Sequence, residues 1–378
     1  MIVLLECHTF RMRGHEEASG TKYVPKELME TWAQKDPISN FETFLKAEGI
    51  LTEEAIKAYR KAIKQEIEAG LAVAYATPDV QADTETELAD LFAPHTSVTT
   101  TASSSKLSDK RLVDAISDGL RQAMEKYDNL VLMGQDIADY GGVFKITDGF
   151  TKQFGKDRVR NTPLCESAIV GIGVGLSLKG YKSMMEMQFA DFATCGFNQI
   201  INNVAKLHYR WGQNVDMVIR MPTGGGVGAG PFHSQSNEAW FFHTPGLKIV
   251  YPSNPYDAKG LLLAAFEDPN PVMYFEHKAL YRSLSAEIPD DYYTVEIGKA
   301  AIAREGNDAT IIAYGNAVHW AKQAADTLAA DIEVVDLRTL LPLDYETIAA
   351  SVKKTNRVLL LHEDTMIGGI GGELSAYI

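Results

Sequence analysis

Short, unbroken apolar runs separated by amphipathic stretches set the rhythm of this chain from about residue 108 onward. Leu130-Val131-Leu132-Met133 is wholly apolar and stops at Gly134-Gln135-Asp136. Largely apolar segments follow at 183–188, 215–221, 248–251 and 272–275, with helix-type spacing between them, including 195–211 and 256–267. Strands that lack polar alternation are those covered on both faces, so the pattern predicts a parallel sheet with helices on either side. Ser108 stands where it would cap a helix that carries Leu112, Ile116 and Leu120 on one face. Past residue 296 the alternation resumes, with strands at 310–314, 332–336 and 357–361 and helices at 316–329 and 345–353. In open α/β sheets ligands gather at the carboxyl ends of the strands.

The first part of the chain reads differently. Ile2-Val3-Leu4-Leu5 has the look of an interior strand, and Arg11-Met12-Arg13-Gly14-His15-Glu16-Glu17 of a polar loop. Residues 26–93 read as helical. Thr52 is placed to cap one helix, with Glu53 and Glu54 in its first turn and Ile56, Tyr59, Ile63, Ile67 and Leu71 at three- and four-residue spacing. That stripe predicts a helix packed on a neighbouring body. Residues 94–106 are rich in Ser and Thr and read as a linker between two units. At the other end Gly368-Gly369-Ile370-Gly371-Gly372-Glu373 opens a helix that stops at Ile378 without a cap. There is no internal repeat.

Bulk properties narrow the classes. With 378 residues there is room for two or three domains, and 46% hydrophobic against 23% charged residues suits a globular protein. A net charge of −14 with no dense Lys/Arg block argues against nucleic acid and anionic membrane surfaces. No apolar run approaches the roughly 20 residues that a membrane helix needs. Cys7, Cys165 and Cys195, without a CxxC, suit a reducing, cytoplasmic setting.

Three segments carry candidate chemistry. Glu166 follows Asn161-Thr162-Pro163-Leu164-Cys165 and precedes a glycine-rich helix start, where partial desolvation should raise its pKa. Cys165 beside it is either a nucleophile or, as free cysteines mostly are, a small buried apolar residue. Glu186-Met187-Gln188-Phe189-Ala190-Asp191-Phe192 offers an aromatic platform, and His233 in Phe232-His233-Ser234-Gln235-Ser236 follows the glycine run 224–230. Those glycines lack the Gly-Lys-Ser/Thr of a phosphate loop and read as a tight turn presenting His233. His319 and His362 read as packing or surface residues.

These motifs resemble a known family. From Leu107 to Ile378 the chain is similar to the β subunit of the thiamine-diphosphate-dependent decarboxylating component of 2-oxo acid dehydrogenase complexes. The segments that carry the likeness are Gly141-Gly142-Val143-Phe144, Thr162-Pro163-Leu164-Cys165-Glu166, Gln188-Phe189-Ala190-Asp191, His233-Ser234-Gln235-Ser236, Glu276-His277-Lys278-Ala279-Leu280-Tyr281-Arg282 and Asp336-Leu337-Arg338-Thr339-Leu340-Leu341-Pro342. Residues 1–93 resemble instead the C-terminal end of the α subunit, through Arg13-Gly14-His15, Trp32, Lys35-Asp36-Pro37-Ile38 and Leu51-Thr52-Glu53-Glu54. The resemblance implies a fusion with the front of the α part and the close of the last domain missing.

Its implied organisation is an α-subunit-like helical tail at 1–93, a linker at 94–106, a transketolase-like pyrimidine-binding domain at 107–283, a connector at 284–295, and an incomplete transketolase C-terminal-like α/β domain at 296–378. Its implied chemistry is oxidative decarboxylation of a branched-chain 2-oxo acid of the 3-methyl-2-oxobutanoate type, with acyl transfer to the lipoyl group of a dihydrolipoyl acyltransferase. Pyruvate- or acetoin-directed relatives are the alternatives, as is a non-catalytic half-site when the chain stands alone. Glu166 would hold a proton on the aminopyrimidine of thiamine diphosphate, while Leu164, Gln188 and Phe192 would contact that ring. His233 would exchange protons with the reacting group or orient the lipoyl acceptor, and His15 would act from the α-like loop. Glu16 replaces the family's serine after that histidine, so phosphorylation there is not expected. Ala265, Asp268 and Asn270 match a turn that in relatives holds K⁺, largely through backbone carbonyls. The Gly-Asp-Gly motif that holds Mg²⁺ and the diphosphate is absent from the sequence, so Mg²⁺ ligands are expected from an α-like partner in a dimeric or α2β2-like assembly.

Overall fold

The protein, seen in a computed structural model that describes residues 4–378, divides into two bodies, 1–82 and 83–378. In the first, three helices span Lys26–Ala33, Pro37–Ala47 and Glu53–Ala76. Asp36 caps the second, accepting from Ile38 N at 2.8 Å and Ser39 N at 3.3 Å, with Pro37 in the first turn where no N–H is needed. Thr52 caps the third as expected, accepting from Ala55 N at 3.2 Å. Of the stripe on that helix Ile56 is buried, and Tyr59, Ile63, Ile67 and Leu71 are exposed. The strand expected at Ile2–Leu5 begins outside the described residues, and Leu4 and Leu5 are exposed coil.

The second body is built on a seven-stranded sheet. Its spatial order is Thr339–Leu341, Lys248–Val250, Val272–His277, Met217–Thr223, Lys182–Glu186, Leu130–Gly134 and Val159–Asn161. All neighbours are parallel except the edge strand Thr339–Leu341. Six of its seven strands carry no exposed residue, which is why they read as largely apolar runs. Helices Leu112–Lys126 and Pro255–Glu267 pack on one face, and helix Glu166–Leu178 lies with Met185, Met217 and Ile219 on the other. Each fully buried Leu, Ile or Met in these layers contributes roughly 1.5–3 kcal/mol. A second, four-stranded sheet orders Val358–Leu361, Ala309–Ala313, Ile332–Asp336 and the antiparallel Ala301–Arg304. The expected α/β architecture with a parallel pyrimidine-type sheet and a further α/β layer is what the chain adopts.

Three local expectations are corrected. Ser108 does not cap a helix. It lies in the strand Leu107–Arg111, which pairs antiparallel with Ser285–Pro289, and the helix starts at Leu112. Residues 195–211 are not one helix but a 3₁₀ segment Ala190–Gly196, a π segment Gln199–Val204 and a short α-helix Leu207–Trp211. The Ser/Thr stretch 94–106 is bound along its length. Thr100 N donates to Thr294 Oγ1 at 2.9 Å, Ile297 N to Ser97 Oγ at 2.9 Å, and Ser103 Oγ to Asp291 Oδ2. Hydroxyls that suggest a solvated linker here satisfy neighbouring backbone.

Candidate active site at the carboxyl edge of the large sheet

Parallel strands bring their carboxyl ends to one edge, and the sequence places its polar residues just past them. Glu166 opens the helix Glu166–Leu178, where its charge is favoured by the helix dipole. Gln135 follows the strand Leu130–Gly134, whose last residue is level with Asn161 on one side and Glu186 on the other. That register sets the Gln135 amide beside Glu166, and Nε2 donates to Glu166 Oε1 at 3.0 Å. Among the described residues no other hydrogen bond reaches the Glu166 carboxylate, which is half-buried. The Gln135 side-chain oxygen, Oε1, is buried with no partner. Gln188 joins the same group, donating to the Gln135 backbone carbonyl at 3.5 Å and to Asp136 Oδ2 at 3.4 Å.

The 3₁₀ turn Ala190–Gly196 packs onto the start of the Glu166 helix; a Cβ on Gly196 would lie 3.4 Å from the Glu166 carbonyl. It carries Phe192, which is half-buried. His233 meets two rings edge-on, Phe189 at 4.7 Å and Phe192 at 5.4 Å between centroids. Its loop is pinned below by Asp191, whose Oδ1 accepts from Gln235 Nε2 at 2.9 Å and Gln235 N at 3.3 Å. A carboxylate, an amide pair, an aromatic face and a histidine are thus linked along the strand ends through residues 188–192.

Beneath this rim lies a sealed ionic layer that the sequence did not announce. Arg220, fully buried, donates from Nη1 to Glu186 Oε2 at 2.7 Å and from Nε and Nη2 to the two oxygens of Glu276 at 2.6 and 2.7 Å. Tyr281 donates to Glu276 Oε2 at 2.6 Å. Burial pushes the Glu186 carboxyl up, and Arg220 pulls it back. The Gly141-Gly142 turn covers this layer; a Cβ on Gly142, at φ 75°, would lie 3.5 Å from Glu186 Oε1. Glu238, also fully buried, accepts from Tyr314 Oη at 2.8 Å and is pushed up to about 8, first by burial and then by nearby Asp364.

Other expected residues fall as follows. Leu164 is 83% exposed at the mouth of the rim. Cys165 is exposed, not the small buried residue that free cysteines usually are. Ala265, Asp268 and Asn270 are buried together, but the side chains are already engaged. Asp268 Oδ2 pairs with the Lys248 ammonium, and Oδ1 accepts from Asn270 N and Nδ2 at 3.0 and 2.8 Å. Asn270 Oδ1 accepts from Ala93 N at 2.7 Å. A K⁺ ion held largely by backbone carbonyls, as the resemblance implies, would not draw on these side-chain contacts. Among the described residues no group of three or more His, Cys, Asp or Glu could hold a metal. His15 belongs to the first body, exposed in the turn after Gly14 and before the short 3₁₀ segment Glu17–Ser19.

Comparison with known proteins bears directly on this edge. Residues 108–283 match the pyrimidine-binding domain of transketolase, 298–378 the transketolase C-terminal domain, and 3–83 the dehydrogenase E1 component. The chain is 49% identical over 271 residues to the 2-oxoisovalerate dehydrogenase subunit beta of Bacillus subtilis (strain 168), covering 70% of this chain and 83% of that one. It is 44% identical over 272 residues to the pyruvate dehydrogenase E1 component subunit beta of the same organism, covering 71% and 84%. The protein belongs to the E1 family of 2-oxo acid dehydrogenases. A solved split-gene transketolase, described as an inactive beta4 tetramer, shares the fold with a TM-score of 0.60 at 24% identity, over 71% of this chain and 84% of that one.

Membership in this E1 family brings thiamine diphosphate as the cofactor. The rim fits its flat aminopyrimidine: Glu166 has acceptor capacity left, the Gln135 side-chain Oε1 is a buried acceptor without a donor, and Leu164 and Phe192 present apolar surface. No helix among the described residues is long and apolar enough to cross a membrane.

Proposed function

We propose that this E1 chain supplies the pyrimidine half of a 2-oxo acid decarboxylating site, directed at a branched-chain substrate of the 3-methyl-2-oxobutanoate type. The observation that carries the reading is the Glu166–Gln135 pair at the sheet edge: a half-buried carboxylate held at one oxygen by a neutral amide, with the other oxygen left over. Thiamine diphosphate, when bound, supplies the electron sink for decarboxylation. Glu166 holds a proton against a ring nitrogen of that heterocycle, and Gln135 Nε2 keeps Oε1 oriented. Phe192 and Leu164 contact the ring, and Gln188 steadies Gln135. His233 gives or takes a proton at the reacting group or guides the lipoyl acceptor, and His15 serves the same chemistry from the α-like loop.

The E1 assignment implies an α/β assembly with an acyltransferase partner. We assign the diphosphate and Mg²⁺ to an α-like region with the Gly-Asp-Gly motif that this sequence lacks. A K⁺ ion at 265–270 would have to rely on backbone carbonyls alone, and no step is assigned to it. We assign the pyrimidine-binding domain to 107–283 and the C-terminal-like domain to 296–378.

Branched-chain choice rests on the higher identity to the 2-oxoisovalerate relative, 49% against 44% for the pyruvate one. Steady-state turnover of the assembled enzyme on 3-methyl-2-oxobutanoate and on pyruvate separates the two. The expected result is a higher kcat/KM for the branched acid; equal or better use of pyruvate rejects the substrate while leaving the chemistry intact.

A further inference from the structure

The loop that presents His233 has a composition that works against a fixed shape. Five of the seven residues in Gly224–Gly230 are glycine. Gly224, Gly226, Gly228 and Gly230 take φ values of 83°, 85°, 70° and 77°, in the left-handed region. Glycine loses more backbone freedom on ordering than any other residue, so such a loop needs explicit ties. Its stem is closed where Gly224 N and Thr223 Oγ1 donate to the Gln235 carbonyl at 3.0 and 3.1 Å.

Above the stem, among the described residues, one hydrogen bond ties Gly225–Ala229 to anything else. Gly225 N donates to Glu363 Oε1 at 2.6 Å. The other oxygen, Oε2, lies 2.6 Å from His277 Nε2. His277 is buried directly under the loop, and a Cβ on Gly224 would come within 2.2 Å of that same nitrogen. Only glycine fits there, by space as well as by φ. Glu363 follows the strand Val358–Leu361 of the small sheet, and His277 ends the strand Val272–His277 of the large one. One carboxylate therefore joins both sheets to the loop. Burial alone would raise its pKa, but the His277 ring and the Gly225 amide hold it below the usual carboxylate range, so both contacts are charge-assisted.

We propose that Glu363, anchored on His277, is the positioning residue of the His233 loop. It touches no reacting atom; it sets where His233 stands against Phe189 and Phe192. The consequence for catalysis rests on the reading of His233 above, whereas the consequence for the loop does not.

Hydrogen–deuterium exchange on the full chain tests the tie directly. Glu363→Ala should speed exchange in peptides covering 224–234 on the order of tenfold, with peptides over Met217–Thr223 and Ala309–Ala313 unchanged. Glu363→Gln, which keeps an acceptor for the Gly225 amide, should restore most of the protection. Unchanged exchange in 224–234, or equal loosening of those two strands, overturns the proposal, because the first denies the tie and the second makes Glu363 a general sheet contact. In the assembled enzyme Glu363→Ala should lower kcat about tenfold at unchanged KM, and adding it to His233→Ala should cost nothing further. A loosened loop with wild-type kcat overturns the catalytic consequence. A wild-type assembly with no decarboxylation would overturn the function reading while the exchange result stands.

Discussion

Glu186 and Glu166 both stand at the carboxyl edge of the same sheet, on either side of the strand Leu130–Gly134, and they are held in opposite ways. Glu186 is buried and locked to the Arg220 guanidinium, which Glu276 grips from the other side. Glu166 is half-buried and held at one oxygen by the neutral amide of Gln135. A carboxylate paired with a buried guanidinium cannot give up its charge without stranding its partner. A carboxylate oriented by a neutral amide has no such partner to strand. The lower layer is thus built to hold the strand ends in place, and the rim leaves one carboxylate oxygen open.

The largest effect that separates the two layers is on stability. Arg220→Met leaves Glu186 and Glu276 buried without a cation and should destabilise the protein by roughly 3–5 kcal/mol in urea unfolding. Glu166→Gln should change the same curve by less than about 1 kcal/mol. If Arg220→Met unfolds at wild-type urea, the lower layer is not structural in the sense argued.

The next effect is on pH dependence. Glu238 keeps its proton up to about 8 in the folded chain, against an ordinary value of 4.5, and Asp336 keeps its own up to about 7, against 3.8. Both groups bind a proton more tightly when folded, so stability should fall as pH rises from about 4.5 to about 8. Glu238→Gln cannot ionise and should remove part of that fall, raising stability at pH 8.5 by on the order of 2 kcal/mol and leaving it unchanged at pH 4.5. Thermal unfolding at the two pH values reads this out. An equal shift at both would show that Glu238 is not the titrating group.

The smallest effect sharpens the role of the rim. Gln135→Met keeps volume and removes the amide that orients Glu166. It should lower kcat of the assembled enzyme roughly tenfold with little change in melting temperature. Wild-type kcat would mean that Glu166 orients itself.

Much of this arrangement was legible in the sequence, and the rest was hidden for identifiable reasons. Glu166, Gln188, Phe192 and His233 stand in contiguous motifs just past strand ends, so pattern alone brings them to one edge. Gln135 reads in the sequence only as the residue after a strand. Its importance comes from register, Gly134 lying level with Asn161 and Glu186, which no single segment records. Arg220 was hidden in an otherwise apolar strand, and its two acidic partners lie on the strands to either side. Ser108 has good capping chemistry, but pairing of Leu107–Arg111 with Ser285–Pro289 overrides it. The run 195–211 has helical spacing, yet the chain is 3₁₀ up to Gly196 and π over Gln199–Val204 before the short helix Leu207–Trp211. Glu363 and His277 are 86 residues apart, and only the fold joins them.

The central claim is that Glu166 holds a proton which the reaction needs, and Glu166→Gln in the assembled enzyme tests it most directly. Decarboxylation should drop on the order of 100-fold or more while the melting temperature stays close to wild type. Full decarboxylating activity in that variant would contradict the account.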